Sequence, residues 1–221
     1  MEVLLFSATG MIGQGVLREC LLDPDVQSVV TIGRTATGRQ DPKLREIVHP
    51  DLFNYAPIED QLTGFDACFF CLGISSVGLA EPEYTRITYG ITMAAAETLS
   101  RLNPQMTFVF VSGLGTDSTE NGRTMWARVK GKTENALLRL PFKAAYMLRP
   151  GLIQPLHGIR SKTAAYRIAY TLIAPLMPLL RWAFHGSILT TEEIGLAMLV
   201  LARRGGPKKI LESKDIRALV V

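Results

Sequence analysis

The sequence predicts an α/β fold, a doubly wound parallel sheet with a small helical lobe near the C-terminus. Short apolar segments alternate with longer segments of helical periodicity through residue 148, which is typical of βαβ units. The apolar segments carry hydrophobic residues at consecutive positions, as in Phe108–Val111, which indicates strands covered on both faces. With 221 residues, 48% of them hydrophobic, the chain suits one such domain. We therefore expect a single domain over residues 1–221, with the lobe at 152–185.

The expected strands are short, apolar or β-branched, and bounded by small or turn-forming residues. They are Val3–Phe6, Ser28–Ile32, Leu44–His49, Ala67–Leu72, Thr107–Ser112 and Ala144–Leu148, with Lys209–Leu211 as an edge strand. The expected helices are Gly13–Leu22, Tyr84–Leu102 and Thr124–Leu140, and each is followed by a proline that ends it. Another helix is expected to begin with Thr191 as its N-cap residue and Glu192 and Glu193 in its first turn.

Composition and charge argue against nucleic-acid binding, secretion and a membrane span. The net charge is only +4, from 24 basic and 20 acidic residues, and these are dispersed, which does not favour nucleic-acid binding. The N-terminal segment does not resemble a signal peptide, and no apolar stretch reaches the length of a membrane span. Three cysteines suit a reducing compartment, so we expect a cytoplasmic protein.

The Cys68-x-x-Cys71 spacing invites a redox or zinc interpretation. The segment is an expected strand, however, and residues three apart in a strand point to opposite faces. We therefore expect structural thiols and no metal site. His49 and His185 offer no metal-ligand spacing and are also expected to be structural.

The turn after the first strand carries the strongest functional signal. It reads Ser7-Ala8-Thr9-Gly10-Met11-Ile12-Gly13-Gln14-Gly15 and leads from a strand into a helix. Small residues there let the backbone approach a pyrophosphate, and the helix N-terminus supplies free N–H groups. Gly10 and Gly13 suit this approach and close helix packing. Ser7 stands where the first glycine is usual, and we do not expect it to adopt a positive φ. The turn predicts a Rossmann-type dinucleotide-binding fold.

The end of the second strand bears on cofactor choice. An acidic residue there favours NAD, but this chain has Arg34, 21 residues after Gly13. A guanidinium can donate two parallel hydrogen bonds to phosphate oxygens. We therefore interpret Arg34 as the contact to the 2′-phosphate and expect NADP rather than NAD. The alternative is an ordinary solvated arginine.

On these motifs the chain resembles the atypical short-chain dehydrogenase/reductase superfamily, and more narrowly its small NAD(P)H-binding or NAD-dependent epimerase-like members. Ser7–Gly13 resembles the family's G-A-T-G-x-x-G. Pro50–Leu52, Asp66–Gly73 and Arg149–Gly151 resemble the segments after its third, fourth and sixth strands. The resemblance implies these cofactor-binding residues: Ser7, Thr9, Gly10, Met11, Ile12, Gly13, Arg34, Asp51, Leu52, Leu72, Gly73, Lys130 and Pro150.

The resemblance also implies a catalytic Tyr-x-x-x-Lys pair with a serine after strand five. Lys130 matches the lysine, but Trp126 stands in place of the tyrosine. One turn of helix puts both on one face, yet an indole N–H cannot act as a general acid near neutral pH. Ser112 is either the functional hydroxyl or a structural residue, because the second serine common in relatives is Gly113 here.

Three interpretations follow from the missing tyrosine. The protein acts through protein contacts as a non-catalytic, NADPH-dependent regulator or scaffold. It is an oxidoreductase for a flavin or quinone, whose reduction needs no tyrosine acid. Or another residue donates the proton, with Tyr84, Tyr89, Asp117 and His157 as candidates. The sequence does not specify the substrate.

The basic, aromatic segment 160–185 allows two interpretations. An amphipathic helix of this composition can lie on an anionic membrane surface. The resemblance instead implies a cover over the substrate site or an oligomer contact. It also implies a homodimer through the helices at 84–102 and 124–140.

Overall fold

The computed structural model describes residues 1–159 and 188–221. In these ranges the strands are short, and most of them are apolar. They are β1 Glu2–Phe6, β2 Ser28–Gly33, β3 Leu44–Val48, β4 Ala67–Phe70, β5 Thr107–Val111, β6 Ala144–Arg149, β7 Leu152–Gln154, β8 Ile188–Thr190 and β9 Ile210–Glu212. The helices are α1 Met11–Leu22, α2 Glu81–Thr85, α3 Ile91–Leu102, α4 Met125–Leu137, α5 Thr191–Arg204 and α6 Ser213–Ala218.

Seven of the described strands form one parallel sheet in the order β3-β2-β1-β4-β5-β6-β9. The chain winds outward from β1 in one direction and from β4 in the other, which confirms the Rossmann-type doubly wound sheet. The reversal of strand order lies between β1 and β4, where Phe6 pairs with Phe70. In folds of this class ligands bind at the carboxyl ends of the strands beside that reversal. β7 and β8 pair separately as a two-stranded parallel sheet.

Both faces of the large sheet are covered. One core contains Val3, Leu5 and residues of α1 and α5, and the other contains Leu4, Phe6 and residues of α3 and α4. Cys68 belongs to the second core, whereas Cys71 packs against the first. This confirms that the two thiols face opposite sides of the sheet.

Several elements differ from the expectation, and β7, β8 and α6 have no counterpart in it. The long helix predicted from Tyr84 begins at Glu81 and contains a π-helical turn at Arg86–Gly90. A 3₁₀ helix at Ala56–Gln61 has no counterpart in the prediction. The N-cap residue of α5 is Thr190 rather than Thr191, because its hydroxyl accepts from Glu193 N in a capping box.

The helical lobe predicted at 152–185 is described only over its first eight residues, and these include strand β7. Residues 160–185, on which the membrane-surface and cover interpretations fall, lie outside the described ranges. Among the described helices, none is long and apolar enough to cross a bilayer.

Ser7 adopts a left-handed conformation with φ +62°, contrary to expectation. Its N–H donates to Ile32 O at 3.2 Å, and its carbonyl accepts from Gly10 N at 2.9 Å. These bonds fix the turn in the conformation that glycine adopts without steric cost. The sheet and the helix therefore impose on Ser7 a strain of about 1–2 kcal/mol.

We expect Ser7→Gly to raise the free energy of unfolding by up to about 1 kcal/mol, since relief of this strain exceeds the added entropy of the unfolded chain. Thermal melting measures the change. Ser7→Ala is the matched control, because alanine keeps the strain and should give no gain. A lower melting temperature for Ser7→Gly would contradict this account of the turn.

Candidate cofactor site

A cavity of about 1030 Å³ opens at the carboxyl edge of the sheet, beside the reversal of strand order. Its volume is at the upper end of the usual range for small-molecule sites, which suits a long ligand. The lining comes from the ends of β1, β2, β4 and β5, from the π-helical turn and from α4. It includes most of the predicted site residues: Ser7, Thr9, Gly10, Met11, Ile12, Arg34, Asp51, Leu52, Leu72, Gly73, Ser112 and Lys130.

Gly13 and Pro150 are not part of this lining. A Cβ added to Gly13 would lie 2.1 Å from Ser7 O, so Gly13 allows α1 to approach the end of β1. The Pro150 carbonyl accepts from Leu114 N at 2.9 Å and so ties β6 to the loop after β5. Gly13 and Pro150 therefore help to position the residues that line the cavity without lining it themselves.

The N-terminus of α1 is free to bind an anion. Gly10 is its N-cap residue, and no side chain in the described parts of the chain caps the helix. The N–H groups of the first turn therefore lack a side-chain partner and carry the positive end of the helix dipole. This is the arrangement that binds phosphate groups in dinucleotide-binding folds.

The charged side chains of the cavity are mostly cationic. Among the described residues in the lining, Arg34, Arg86 and Lys130 are basic, and Asp51 is acidic. Arg34 is exposed and has no ion-pair partner in the described parts of the chain. Arg86 lies over the Phe53 ring, 5.0 Å from its centroid. A positive cavity of this kind attracts a polyanion.

Lys130 is held at the end of β5 by uncharged groups. Its Nζ donates to Ser112 O at 3.2 Å and to Val111 O at 3.5 Å, and it lies 5.5 Å from the centroid of the Phe110 ring. Burial disfavours the ammonium form and lowers the pKa of Lys130 to about 8, although Glu134 on the same helix opposes this shift. With this pKa, Lys130 can change between its ammonium and amine forms close to neutral pH.

The Ser112 hydroxyl lies 2.9 Å from the Thr116 hydroxyl. Since Thr116 Oγ1 donates its hydrogen to Gly113 O at 2.8 Å, Ser112 is the donor in the pair. Its own hydrogen is therefore used within the loop. Of the two alternatives for Ser112, this geometry favours the structural one.

Trp126, which occupies the tyrosine position, is not part of the cavity lining. Its indole ring is half-buried and lies against Gly115, where an added Cβ would be 3.6 Å from the ring. The four alternative proton donors are also absent from the lining. Tyr84 is 2% exposed, the Tyr89 ring lies under Lys132, the Asp117 carboxylate accepts from Thr119 and Gly122, and His157 pairs with Glu192.

Phe53, Cys71 and Arg86 line the cavity without having been predicted. Phe53 directly follows the Asp51-Leu52 pair, so extending that motif by one residue would have found it. Cys71 directly precedes Leu72 at the end of β4. Arg86 has no such signal, because its position depends on the π-helical turn.

No protein-family model matches the chain. It is similar to two fungal proteins, named FMP52-2, mitochondrial, from Scheffersomyces stipitis (32% identical over 152 residues) and fmp52-1, mitochondrial, from Aspergillus oryzae (30% over 155 residues). Each match covers 67% of this chain, and the chain spans 65% and 64% of the length of these relatives. Their names contradict the predicted cytoplasmic location, which was based on cysteine content and the N-terminal segment alone.

Solved structures share the fold at low sequence identity. The Bordetella bronchiseptica enzyme WbmF in complex with NAD⁺ matches 99% of this chain and 76% of its own, with a TM-score of 0.70 and 13% identity. An oxidoreductase of the short-chain dehydrogenase/reductase family from Burkholderia thailandensis matches 98% of this chain and 92% of its own, with a TM-score of 0.71 and 15% identity. The chain therefore has the Rossmann fold of that superfamily, as the motifs predict.

Proposed function

We propose that this protein binds NADP(H) in the large cavity and acts as an oxidoreductase. The observation that supports this most directly is that one cavity is lined by the N-terminus of α1 and by Arg34. Within residues 1–159 and 188–221, no side chain caps the helix and no ion pair engages Arg34. A dinucleotide carries its pyrophosphate and its 2′-phosphate on one molecule, so one ligand would meet both cationic features. Free phosphate would meet only one of them.

Different lining residues would contact different parts of the bound cofactor. The N–H groups at Met11 and Ile12 would hold the pyrophosphate, and Arg34 the 2′-phosphate. By the resemblance, Asp51 and Leu52 would flank the adenine. Leu72, Gly73 and Lys130 would lie along the rest of the cofactor, and Gly13 and Pro150 would support the walls.

A second candidate function is a non-catalytic, NADPH-dependent regulator that acts through protein contacts. The observation that favours it is Trp126, which lies outside the cavity and cannot supply the proton of the missing tyrosine. Sustained NADPH oxidation with any carbonyl or quinone would favour the oxidoreductase. NADPH binding without turnover would favour the regulator.

Arg34→Gln should lower the preference for NADPH over NADH by tenfold or more, because a charge-assisted hydrogen bond to phosphate contributes about 1.5–3 kcal/mol. Titration of nicotinamide fluorescence with each cofactor measures the ratio of the two dissociation constants. The preference should also fall as salt rises, since the guanidinium is exposed.

Arg39→Gln is the control for this variant. Arg39 is likewise exposed and close in sequence, but it lines a separate cavity of about 420 Å³. It should leave the ratio unchanged. An unchanged ratio in Arg34→Gln as well would show that Arg34 is an ordinary surface arginine.

We further propose that the protein works in mitochondria, as the names of the fungal relatives indicate for them. We also propose that the whole chain forms a single cofactor-binding domain. The described residues are consistent with this, because β9 near the C-terminus pairs with β6 at the edge of the same sheet.

A further inference from the structure

The cavity lining raises the question of which group can donate a proton in place of the missing tyrosine. Of the described residues in the lining, Arg34 and Arg86 carry guanidinium groups, a side-chain type that does not serve as a general acid in proteins. Burial raises the pKa of the Cys71 thiol far above neutrality. Asp51 is a carboxyl group and follows β3, on the other side of β1 from β5 and Lys130. Of the ionisable groups in this set, Lys130 alone has a pKa near neutrality and lies at the end of β5.

We propose that Lys130 itself donates the proton to the oxygen of a carbonyl substrate, one helical turn from the position where the resembled family has its tyrosine. The proposal rests on the proposed function above. Its substrate class is an aldehyde or ketone, because reduction places negative charge on a strongly basic alkoxide oxygen that requires a proton donor, whereas a flavin or quinone can take its protons from solvent.

The geometry of Lys130 supports this role. Two of its three N–H groups are used by the carbonyls of Val111 and Ser112. Since the side chain lines the cavity, the third is available to a ligand. The Ser112 hydroxyl cannot compete for the substrate oxygen as a donor while its hydrogen goes to Thr116.

When bound, the reduced nicotinamide would supply the carbonyl carbon with a hydride, which is a proton carrying two electrons. The C=O π bond breaks and its electron pair moves to oxygen, which takes a proton from Lys130 Nζ. The electron pair of the broken N–H bond stays on Nζ, so Lys130 becomes a neutral amine and regains a proton from water. The products are an alcohol and the oxidised cofactor.

The charged groups around Lys130 are compatible with its release of a proton. On its own helix, Glu134 is fully buried and engaged by Arg149 at 2.5 Å, so its charge is shared with another cation. On neighbouring elements, Glu81 pairs with Arg128, and the Asp117 carboxylate accepts from Thr119. The titratable or charged groups across the cavity are Arg34, Asp51, Cys71 and Arg86. None of the described carboxylates forms an ion pair with Lys130 that would hold it in the ammonium form.

The ionisation of Lys130 can be measured without cofactor or activity. Competitive acetylation at a series of pH values, followed by peptide mass spectrometry, gives the pH at which each lysine becomes reactive. We expect half-maximal reactivity near pH 8 for Lys130, as its lowered pKa requires. A short unstructured lysine peptide, with a pKa of about 10.4, should react about two pH units higher under the same conditions. A Lys130 that becomes reactive together with this peptide would overturn the proposal.

Turnover gives the second measurement. With NADPH and a panel of aldehydes and ketones, kcat should fall as pH rises through about 8, because the neutral amine has no proton to give. Lys130→Arg keeps the positive charge but cannot release a proton, so it should hold NADPH within a few-fold of the natural affinity and lose about 100-fold or more in kcat. Lys132→Arg should change neither quantity.

The proposed NADPH binding and the proton-donor role of Lys130 can fail separately. If NADPH does not bind, the proposed function fails. If NADPH binds but no carbonyl is reduced, or if Lys130→Arg reduces carbonyls at the natural rate, the proton-donor role of Lys130 fails and NADPH binding stands.

Discussion

Glu134→Ala should destabilise the protein by about 3–5 kcal/mol, the cost of leaving one partner of a buried ion pair uncompensated. The Glu134 side chain is fully buried on α4 and holds Arg149 at the end of β6. Arg149 Nε donates to Glu134 Oε1 at 3.0 Å and Nη2 donates to Oε2 at 2.5 Å. Without the carboxylate, the partners that remain to the guanidinium among the described residues are Ser118 and the more distant Glu212. Denaturant unfolding measures the loss.

The double variant Glu134→Leu/Arg149→Met separates pairing from packing. Replacing both charges with apolar groups removes the desolvation cost along with the attraction, so it should be less destabilising than Glu134→Ala. Glu97→Gln, an exposed change on α3, is the surface control and should lie within about 0.5 kcal/mol of the natural protein. If Glu134→Ala were as mild as Glu97→Gln, the pair would not hold β6 against α4.

Gly13→Ala should cost more than about 2 kcal/mol and abolish NADPH binding, because its Cβ would overlap the Ser7 backbone. The clash is with the Ser7 carbonyl at 2.1 Å and its carbon at 2.8 Å, neither of which can rotate away as a side chain could. Either the end of β1 or the start of α1 must move, and both form the phosphate-binding turn. Thermal melting and NADPH titration measure the two effects.

Gly10→Ala provides the matched comparison for stability. Its added Cβ would lie 3.2 Å from Ser7 Oγ and 3.3 Å from Ser7 O, which requires shifts of only a few tenths of an ångström. Its φ of −77° is open to any residue. We expect a change within about 1 kcal/mol. Equal destabilisation by the two alanines would contradict the assignment of the closest approach to Gly13.

The sheet and its phosphate-binding turn could be predicted because they depend on local patterns. Consecutive apolar residues mark β1 and β5, and the small residues from Ser7 to Gly13 mark the turn between a strand and a helix. The opposite orientations of Cys68 and Cys71 also follow from strand geometry alone. These features require no knowledge of distant contacts.

Other features depend on contacts between distant segments. The positive φ of Ser7 follows from its hydrogen bonds to Ile32 and Gly10, which override the preference of serine. Arg86 reaches the cavity through a π-helical turn, which shifts the helical phase that periodicity assumes. Trp126 shares the helix of Lys130 but packs against Gly115, so sequence spacing did not predict which side chain lines the cavity.

The lowered pKa of Lys130 likewise could not be predicted from the sequence. It depends on burial at the end of β5, where Lys130 Nζ donates to the carbonyls of Val111 and Ser112. The resemblance predicted the position of this lysine but implied for it a supporting role beside a tyrosine. The structure adds a proton-exchanging group in the cavity lining.

Titration calorimetry of the natural protein with NADPH at fixed salt tests the central claim most directly. We expect saturable binding at one site per chain, at least tenfold tighter for NADPH than for NADH. No binding of either cofactor would contradict the proposal that the N-terminus of α1 and Arg34 hold a dinucleotide.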